Sequence, residues 1–376
     1  MKSSFLSFLC LLPLYLFGQQ TLTERIMHDN IWRDFILYIP ASYTANKAVP
    51  LLFNFHGYTS NANAQMWYGD FRPIADTADF IIVHPQGTLD QDGNTHFNVG
   101  WGGSSTDDVG FARTLLDSLI ARYNLDQDRI YSTGMSNGGY MSYYLACQMS
   151  DRIAAVASVT GSMTPLQYNG CSPQHPTPIM QIHGTSDNVV PFNGASWTRS
   201  IPDVVDYWVS ANNCNDIAQL SQIPNSNTTD NSTVELLQYG EGDNGAEVLF
   251  YKISNGGHTW PGNNIGGPGT NYDMDASQEI WNFFAQYDLA GLRSTTSIDD
   301  IPEIAYEISP NPFSDIIQIK TEEVGEKSFE LLDMRGKRLM LGNFWEQEYE
   351  LNIQQLSEGI YFLKMGGQSI KLLKRK

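Results

Sequence analysis

The chain has 376 residues, of which 41% are hydrophobic, so it is too long for one small domain and apolar enough to bury a large core. Its 22 Lys and Arg residues stand against 41 Asp and Glu residues, and the net charge of −19 would repel a phosphate backbone. This composition argues against disorder and against nucleic acid as a partner.

The N-terminus has the pattern of a secretory signal peptide. Lys2 supplies a positive charge, an apolar run extends from Phe5 to Phe17, and Gly18 is a small residue near the point of cleavage. The run is too short for a stable membrane span, which makes an uncleaved anchor the less favoured alternative. We therefore predict a signal peptide over residues 1–19 and export from the cytoplasm.

Short apolar runs alternate with helical patterns between Arg33 and Phe284, which predicts a mostly parallel sheet with helices on both faces. Several runs lack polar alternation, as expected of strands buried on both faces. Helices are predicted from an N-cap at Asp108, over Gly138–Met149, and from Asp275, where Gln278 completes a capping-box pattern. The predicted strands are 35–39, 51–55, 80–83, 129–133, 154–159, 179–182 and 248–253.

A polar stretch from Ser294 to Glu303 predicts a domain boundary. Beyond it the apolar runs are short and strand-like, with glycines at turns, which is typical of a small β-sandwich. Residues 309–376 contain ten basic and ten acidic residues, so the rest of the chain carries the whole negative excess. We assign residues 20–290 to the α/β domain, 291–308 to a linker and 309–376 to the sandwich.

The segment Gly134-Met135-Ser136-Asn137-Gly138 matches the G-x-S-x-G pattern, and it lies between a predicted strand and a predicted helix. A nucleophile on so sharp a turn has a strained backbone, and the flanking glycines avoid collisions with the neighbouring strand and helix. Ser136 is therefore the predicted nucleophile of an α/β-hydrolase fold.

A serine hydroxyl needs a histidine as base, and the histidine needs an acidic residue that orients its imidazole. In this fold the acidic residue and then the histidine follow the serine along the chain. His258 comes directly after a predicted strand and is the only His after His183. Asp187 follows the strand 179–182 and is the predicted acid. The other candidates between Ser136 and His258 are Asp203, Asp206 and Asp243, of which the first two fall in a helical stretch.

The reaction also needs two N–H donors for the oxyanion. One is predicted to be the backbone N–H of Asn137, and the other that of Tyr58 or Thr59, after the strand 51–55. His56 precedes the serine, contrary to the order of this fold, so we interpret it as structural.

Neither a metal nor an organic cofactor is predicted. The remaining histidines lack the spacing of a zinc site, and there is no Walker loop or dinucleotide-binding motif. After the signal peptide, three cysteines remain, which predicts one disulfide and one free thiol in an oxidising compartment. The sequence does not decide which two of Cys147, Cys171 and Cys214 pair.

Five blocks together resemble the polyhydroxybutyrate depolymerase-like and feruloyl esterase group of secreted α/β-hydrolases. The resemblance runs from about Ile31 to Tyr287, and it implies a Ser136, Asp187, His258 triad and ester hydrolysis without a metal or organic cofactor. Relatives of the depolymerase type often have Cys where this chain has Tyr58. The blocks are Phe55-His56-Gly57, Thr106-Asp107-Asp108-Val109-Gly110-Phe111, Ile130 to Gly139, Ile182 to Asp187 and Gly257-His258-Thr259-Trp260-Pro261.

The tail is similar to the C-terminal sorting domain of the type IX secretion system. This resemblance implies partnership with that secretion machinery, passage through the periplasm to the exterior or the cell surface, and removal of the tail. A carbohydrate-binding module is the rival for a terminal sandwich, but Trp345 is the only Trp of the tail. The motifs are Ile308 to Phe313, Leu332 to Lys337, Leu356 to Phe362 and the basic end from Lys371.

These patterns lead to the hypothesis of a secreted serine esterase that acts on an ester attached to a polymer. The candidates are feruloyl or acetyl esters of plant polysaccharides and polyhydroxyalkanoate-type polyesters. Trp101 and Trp260 are candidates for the wall of the substrate pocket, with ordinary core packing as the alternative for both. The rival hypotheses are a non-catalytic carbohydrate-binding surface protein on the same fold and a peptidase.

Overall fold

The computed structural model describes residues 18–293, 306–321, 327–333, 337–365 and 368–375. The apolar run of the predicted signal peptide and most of the predicted linker lie outside the described residues. The chain divides into two compact units between Arg293 and Ser294. Within the described ranges, no helix is long and apolar enough to cross a membrane.

The first unit is built on a sheet of ten strands in the order β1-β2-β4-β3-β7-β8-β9-β12-β11-β10. The six strands from β4 to β12 in that order are parallel, and antiparallel strands flank them on both sides. The strands of the sheet are β1 (Gln20–His28), β2 (Ile31–Ile39), β3 (Val49–Phe55), β4 (Ile81–Pro85), β7 (Leu125–Met135), β8 (Ala155–Val159), β9 (Ile179–Gly184), β10 (Gln219–Gln222), β11 (Thr233–Tyr239) and β12 (Val248–Ser254). Two short hairpins are β5 (Thr88–Leu89) with β6 (Thr95–His96) and β13 (Tyr287–Asp288) with β14 (Gly291–Leu292).

Every predicted strand of this unit is present, and the predicted α/β-hydrolase architecture is confirmed. The runs without polar alternation became the central strands, in which every residue of β3, β4 and β8 is buried. Strand β1 was not predicted. It lies at the sheet edge and alternates between exposed and half-buried positions, so it has no continuous apolar run.

The described part of the first unit contains seven α-helices, and helices pack on both sides of the sheet. One buried cluster joins the sheet to α3, α4 and α6, and a second joins it to α2 and α7. The helices are α1 (Ala62–Tyr68), α2 (Arg72–Ala78), α3 (Asp108–Ile120), α4 (Asn137–Gln148), α5 (Pro165–Gly170), α6 (Ile201–Ala211) and α7 (Ala276–Phe284).

The predicted N-cap of α3 was wrong by one residue. Asp107 caps the helix by accepting a hydrogen bond from the Gly110 amide. Asp108 is not free to do so, because its buried carboxylate pairs with Arg33 and accepts the Asn98 amide. An acidic residue that forms a buried ion pair near the start of a helix can thus be mistaken for the N-cap in the sequence.

The predicted start of α7 is correct, since the Asp275 side chain accepts a hydrogen bond from the Gln278 amide. The reciprocal half of the predicted capping box is missing. The Gln278 side chain instead donates to Asn282 one turn further along the helix.

The second unit contains two antiparallel sheets that share one core. Their orders are β15-β16-β19 and β18-β17-β20-β21. Phe313, Ile317 and Leu351 pack with Phe329 and Leu363 in a single buried cluster, which is the arrangement of a sandwich. The strands are β15 (Glu307–Ser309), β16 (Ile316–Lys320), β17 (Lys327–Leu332), β18 (Arg338–Phe344), β19 (Glu348–Asn352), β20 (Gly359–Met365) and β21 (Gln368–Lys374).

The ends of the predicted linker, residues 291–308, belong to strands. Gly291 and Leu292 pair with Asp288 and Tyr287, so the first unit continues to Arg293. At the other end, residues 307 and 308 already pair with β16. Because the linker is polar in composition, its sequence does not predict either of these short strand pairings.

Candidate active site

Ser136 occupies the sharp turn between β7 and α4. Its backbone has φ 54° and ψ −120°, a strained conformation for a residue with a side chain, and its amide donates to the Val159 carbonyl at 2.8 Å. A Cβ at Gly138 would lie 2.1 Å from the Phe55 carbonyl oxygen, and one at Gly134 would lie 2.6 Å from that same oxygen. The turn therefore needs glycine on both sides, and it leaves the serine 8% exposed.

Asp187 and His258 meet on the loops that follow the adjacent parallel strands β9 and β12. His258 Nδ1 donates to Asp187 Oδ2 at 2.7 Å. The other carboxylate oxygen accepts the amides of Val189 and Val190, both at 2.8 Å. Because Nδ1 carries the proton, Nε2 of His258 is the nitrogen that can accept one.

The charge state of Asp187 is set by opposing effects. Burial raises the pKa of this carboxyl group. The hydrogen bond from His258 and the nearby imidazoles lower the pKa by more than burial raises it, so the net pKa lies below its ordinary value. The carboxylate is thus ionised at neutral pH, as a group that supports an imidazolium must be.

His183 lies behind Asp187 and was not assigned a role from the sequence. Its Nε2 donates to the Val190 carbonyl at 2.9 Å and lies 3.5 Å from Asp187 Oδ2. Burial lowers the pKa of His183 to about 4, so this imidazole is neutral near pH 7. It is the second-last residue of β9, and only the folded geometry reveals that it supports the acid.

The three predicted triad residues lie at one edge of the sheet, because β7, β9 and β12 are parallel and end on the same side. In this conformation His258 makes a hydrogen bond to Asp187 but none to the Ser136 hydroxyl. Such contacts are often long in enzymes without substrate and shorten when it binds.

The predicted oxyanion loop lies against the serine. A Cβ on Gly57 would be 3.4 Å from the Ser136 Cβ, so the next residue, Tyr58, lies beside the nucleophile. The Thr59 amide donates to the Thr95 carbonyl at 2.8 Å and is therefore already engaged. Of the two predicted donors, Tyr58 is the one whose amide remains available beside that of Asn137.

His56 has the structural role that was predicted for it, since both ring nitrogens are used. Its Nε2 accepts the Gly87 amide at 2.9 Å, and Nδ1 donates to the Gly57 carbonyl at 2.7 Å. Burial lowers its pKa to about 4, so the ring stays neutral and holds the oxyanion loop in place.

Trp101 lies in an aromatic cluster next to the nucleophile turn. Its ring centroid is 4.9 Å from that of Tyr140, 5.9 Å from Trp197 and 6.3 Å from Tyr58. Tyr140 belongs to the first turn of the helix that Ser136 precedes. Trp197 was not identified from the sequence, because it lies in a loop with no motif or periodicity.

Trp260 does not join this cluster. It is 1% exposed, packs edge-on against Phe71 at 6.0 Å, and donates from Nε1 to the Ser277 hydroxyl at 3.1 Å. The structure thus favours core packing for Trp260, the alternative that the sequence left open.

Among the described residues, one group of side chains has the composition of a metal-ligand set. Potential ligand atoms of His28, Asp29 and Asp107 lie within 4.8 Å of one another. Both carboxylates are exposed, and Asp107 already caps α3. We assign this group no part in the chemistry.

Residues 33–234 match the family described as esterase PHB depolymerase, and residues 307–376 match the secretion system C-terminal sorting domain. The first match covers more than half of the chain, so the chain belongs to this esterase family, and its α/β-hydrolase fold agrees with that membership. The tail carries the sorting domain that its motifs predict.

A bifunctional acetylxylan esterase/xylanase from Neocallimastix patriciarum is 25% identical over 272 residues, which are 72% of this chain and 36% of that protein. Feruloyl esterase B from Piromyces equi is 32% identical over 235 residues, which are 60% of this chain and 42% of that protein. The chain therefore spans less than half the length of these two relatives. An acetyl xylan esterase from Aspergillus awamori shares the fold, with a TM-score of 0.50 and 12% identity over 71% of this chain and 99% of that one.

Proposed function

We propose that this protein is a secreted serine esterase that hydrolyses carboxylic esters through Ser136, His258 and Asp187. The observation that carries the proposal is the 2.7 Å hydrogen bond from His258 Nδ1 to the buried Asp187 carboxylate, at the sheet edge that holds the strained serine. Membership of the esterase family supports the same chemistry.

The reaction proceeds through an acyl-enzyme. Ser136 Oγ attacks the ester carbonyl while Nε2 of His258 takes its proton, and Asp187 stabilises the imidazolium. The amides of Asn137 and Tyr58 bind the oxyanion of the tetrahedral intermediate. His258 then protonates the leaving alcohol, and water, activated by the same imidazole, hydrolyses the acyl group from the serine.

The proposed substrates are feruloyl or acetyl esters of plant polysaccharides, with polyhydroxyalkanoate-type polyesters as the other candidate class. The names of the two similar relatives support the first class. The aromatic cluster supports a planar acyl group in particular, because Tyr58 is 39% and Trp197 40% exposed beside the nucleophile turn.

We propose that the protein is exported to the periplasm by its signal peptide and then crosses the outer membrane through the type IX secretion machinery. The match of residues 307–376 to the sorting domain supports the second step. The working location is then extracellular or on the cell surface, where the polymer substrates are found.

The decisive experiment compares wild type with Ser136→Ala on p-nitrophenyl acetate, methyl ferulate, acetylated xylan and polyhydroxybutyrate. Removal of a triad nucleophile costs on the order of 10⁴-fold or more in kcat. Ser142→Ala is the matched control, because Ser142 is a buried serine of α4 whose hydroxyl bonds only to Ser132 in β7 and to the Gly138 carbonyl. Retention of more than about a tenth of the activity by Ser136→Ala would contradict the triad.

The assignment of the acid is tested separately. Asp187→Asn should lower kcat by roughly 10³- to 10⁴-fold, because an amide favours the wrong imidazole tautomer. Asp203→Asn is the matched control, since Asp203 lies in the first turn of α6 and was a rival for this role. A larger loss in Asp203→Asn than in Asp187→Asn would transfer the role.

A further inference from the structure

A second depression opens beside the loop that follows His258, and the chemistry described above does not use it. It is a cavity of about 370 Å³. The C-terminal end of α1, with Trp67 and Tyr68, forms one wall, and the segment from Trp260 to Ile265 forms another. Trp260 is two residues from His258, so the Cα atoms of these two residues are no more than about 7.6 Å apart.

The two walls are tied together by hydrogen bonds. Asn263 Nδ2 donates to the carbonyls of Trp67, at 3.3 Å, and of Tyr68. The Trp260 amide donates to the Tyr68 hydroxyl at 3.3 Å. A Cβ on Gly69 would lie 2.9 Å from the Trp260 ring, which shows how closely the helix end packs on this loop. The cavity is therefore formed before any ligand arrives.

Trp67 provides a rigid aromatic platform at the rim. Trp67 is 55% exposed. The Arg72 guanidinium lies 3.9 Å from the indole centroid and supports one face of the ring. Asp70 fixes that guanidinium through hydrogen bonds of 2.9 and 2.7 Å. An aromatic ring fixed in this way binds a ligand at little cost in conformational entropy.

The rest of the lining mixes polar side chains with Pro73, Pro261 and Ile265, and it carries no free cation among its described residues. Asp70 is neutralised by Arg72, Asp275 contributes a carboxylate that caps α7 through one oxygen, and Asn264 contributes an exposed amide. Carboxylates disfavour anionic ligands, and the carboxylate and amide groups in the lining disfavour an alkyl chain. A flat aromatic face beside carboxylate and amide groups suits a ligand with both an apolar C–H face and hydroxyl groups.

We propose that this cavity is a saccharide subsite that binds a neutral pyranose unit of the polymer whose ester is cleaved. The sugar ring stacks its C–H face on Trp67, and its hydroxyl groups bond to Asn264 and Asp275. The inference rests on the proposed function, because the ligand is the polysaccharide part of that enzyme's substrate.

Binding is tested without hydrolysis, by calorimetric titration of the full protein with unesterified xylohexaose, cellohexaose and mannohexaose. At least one of the three should bind to wild type. Trp67→Ala should weaken that binding at least tenfold, and Asn264→Ala, which changes an exposed loop side chain, should weaken it severalfold. Trp32→Ala is the matched control, because Trp32 in β2 is exposed to a similar extent, 57%, and does not line the cavity.

A kinetic test follows on acetylated xylan and p-nitrophenyl acetate. The ratio of kcat/KM on the polymer to kcat/KM on the small ester should fall at least tenfold in Trp67→Ala and stay unchanged in Trp32→Ala. Circular dichroism spectra establish that both variants are folded. If Trp67→Ala does not fold, Asn264→Ala provides the test in its place.

The subsite is overturned if no hexaose binds to wild type, or if Trp67→Ala and Asn264→Ala bind as wild type does. Equal loss in Trp32→Ala would also overturn it. A wild-type protein that binds a hexaose but cleaves no ester would contradict the proposed function and leave the subsite standing. Ester cleavage without hexaose binding would do the reverse, so the two failures are distinguishable.

Discussion

The side chain of Asn137 and the backbone of Phe97 are joined by two hydrogen bonds. The Phe97 amide donates to Asn137 Oδ1 at 2.7 Å, and Asn137 Nδ2 donates to the Phe97 carbonyl at 3.0 Å. Both residues are fully buried. The residue after the nucleophile therefore anchors the segment that leads to Trp101, in addition to offering its backbone N–H to the oxyanion.

Asn137→Ala should lower kcat/KM for methyl ferulate more than for p-nitrophenyl acetate. The substitution keeps the backbone N–H but leaves two buried polar groups of Phe97 unpaired, which costs about 1–3 kcal/mol each. The segment that carries Trp101 then shifts, and an aromatic acyl group loses more than an acetyl group does. Steady-state kinetics on both esters measure the difference.

The matched control for this prediction is Asn169→Ala, at an exposed asparagine that bonds only to Arg199. It should leave both kinetic constants and the free energy of unfolding close to wild type. An equal loss on the two esters in Asn137→Ala would show that the side chain supports the oxyanion amide instead of the aromatic cluster.

Some features of the site could be predicted because local sequence determines them. The G-x-S-x-G turn between a strand and a helix has a steric cause in the glycines, and the order of the fold then leads to Asp187 and His258. The structure brings these last two within hydrogen-bonding distance. The central strands could also be predicted from the sequence, because strands that are buried on both faces consist of continuous apolar runs.

Other features depend on contacts between distant segments. Trp197 reaches Trp101 across 96 positions of sequence, and Arg33 reaches Asp108 across 75, without any motif that links the partners. The misplaced cap at Asp108 has this cause, because an acidic residue before a helix has the same appearance whether it caps the helix or pairs with a buried cation.

The protein should lose stability as the pH falls from about 6.5 to about 4. Burial lowers the pKa of His56 to about 4, of His84 to about 3 and of His183 to about 4. An unfolded histidine takes up a proton near pH 6.5, so between these values the unfolded chain binds more protons than the native one. The stabilisation is complete above that window and declines through it as the pH falls.

Urea unfolding at pH 7.5, 6.5, 5.5 and 4.5 measures this slope. His84→Gln should make it shallower by the contribution of one proton, because His84 is fully buried and takes no part in the proposed chemistry. A free energy of unfolding that is constant from pH 6.5 to 4.5 would show that these histidines are protonated in the native state.

The disulfide between Cys147 and Cys171 should contribute about 3 kcal/mol to stability, because it closes a loop between residues 24 positions apart. It joins the end of α4 to the end of α5, and Cys214 remains a free thiol whose pKa burial raises to about 11. Replacing both bridged cysteines by Ala should lower the free energy of unfolding by that amount. Cys214→Ala is the control, and a larger loss in it than in the double variant would contradict this ranking.

A protein that ends at Arg293 should fold and keep the activity of the full chain. Arg293 still belongs to the first unit, because its amide donates to the Gln286 carbonyl at 2.8 Å and its guanidinium to the Ala285 carbonyl at 3.1 Å. A protein that ends at Ala290 loses these bonds and the pairing of Gly291 and Leu292 with β13, so its melting temperature should be lower. Thermal unfolding of both proteins measures the difference.

The same truncation at Arg293 separates the two interpretations of the tail. A sorting domain directs export and takes no part in catalysis, so kcat/KM should be unchanged on p-nitrophenyl acetate and on insoluble acetylated xylan alike. A tail that binds the polymer would contribute effective concentration at its surface, and its removal would lower the rate on the insoluble substrate only. A selective loss of that kind would show that residues 307–376 bind polysaccharide in addition to matching a sorting domain.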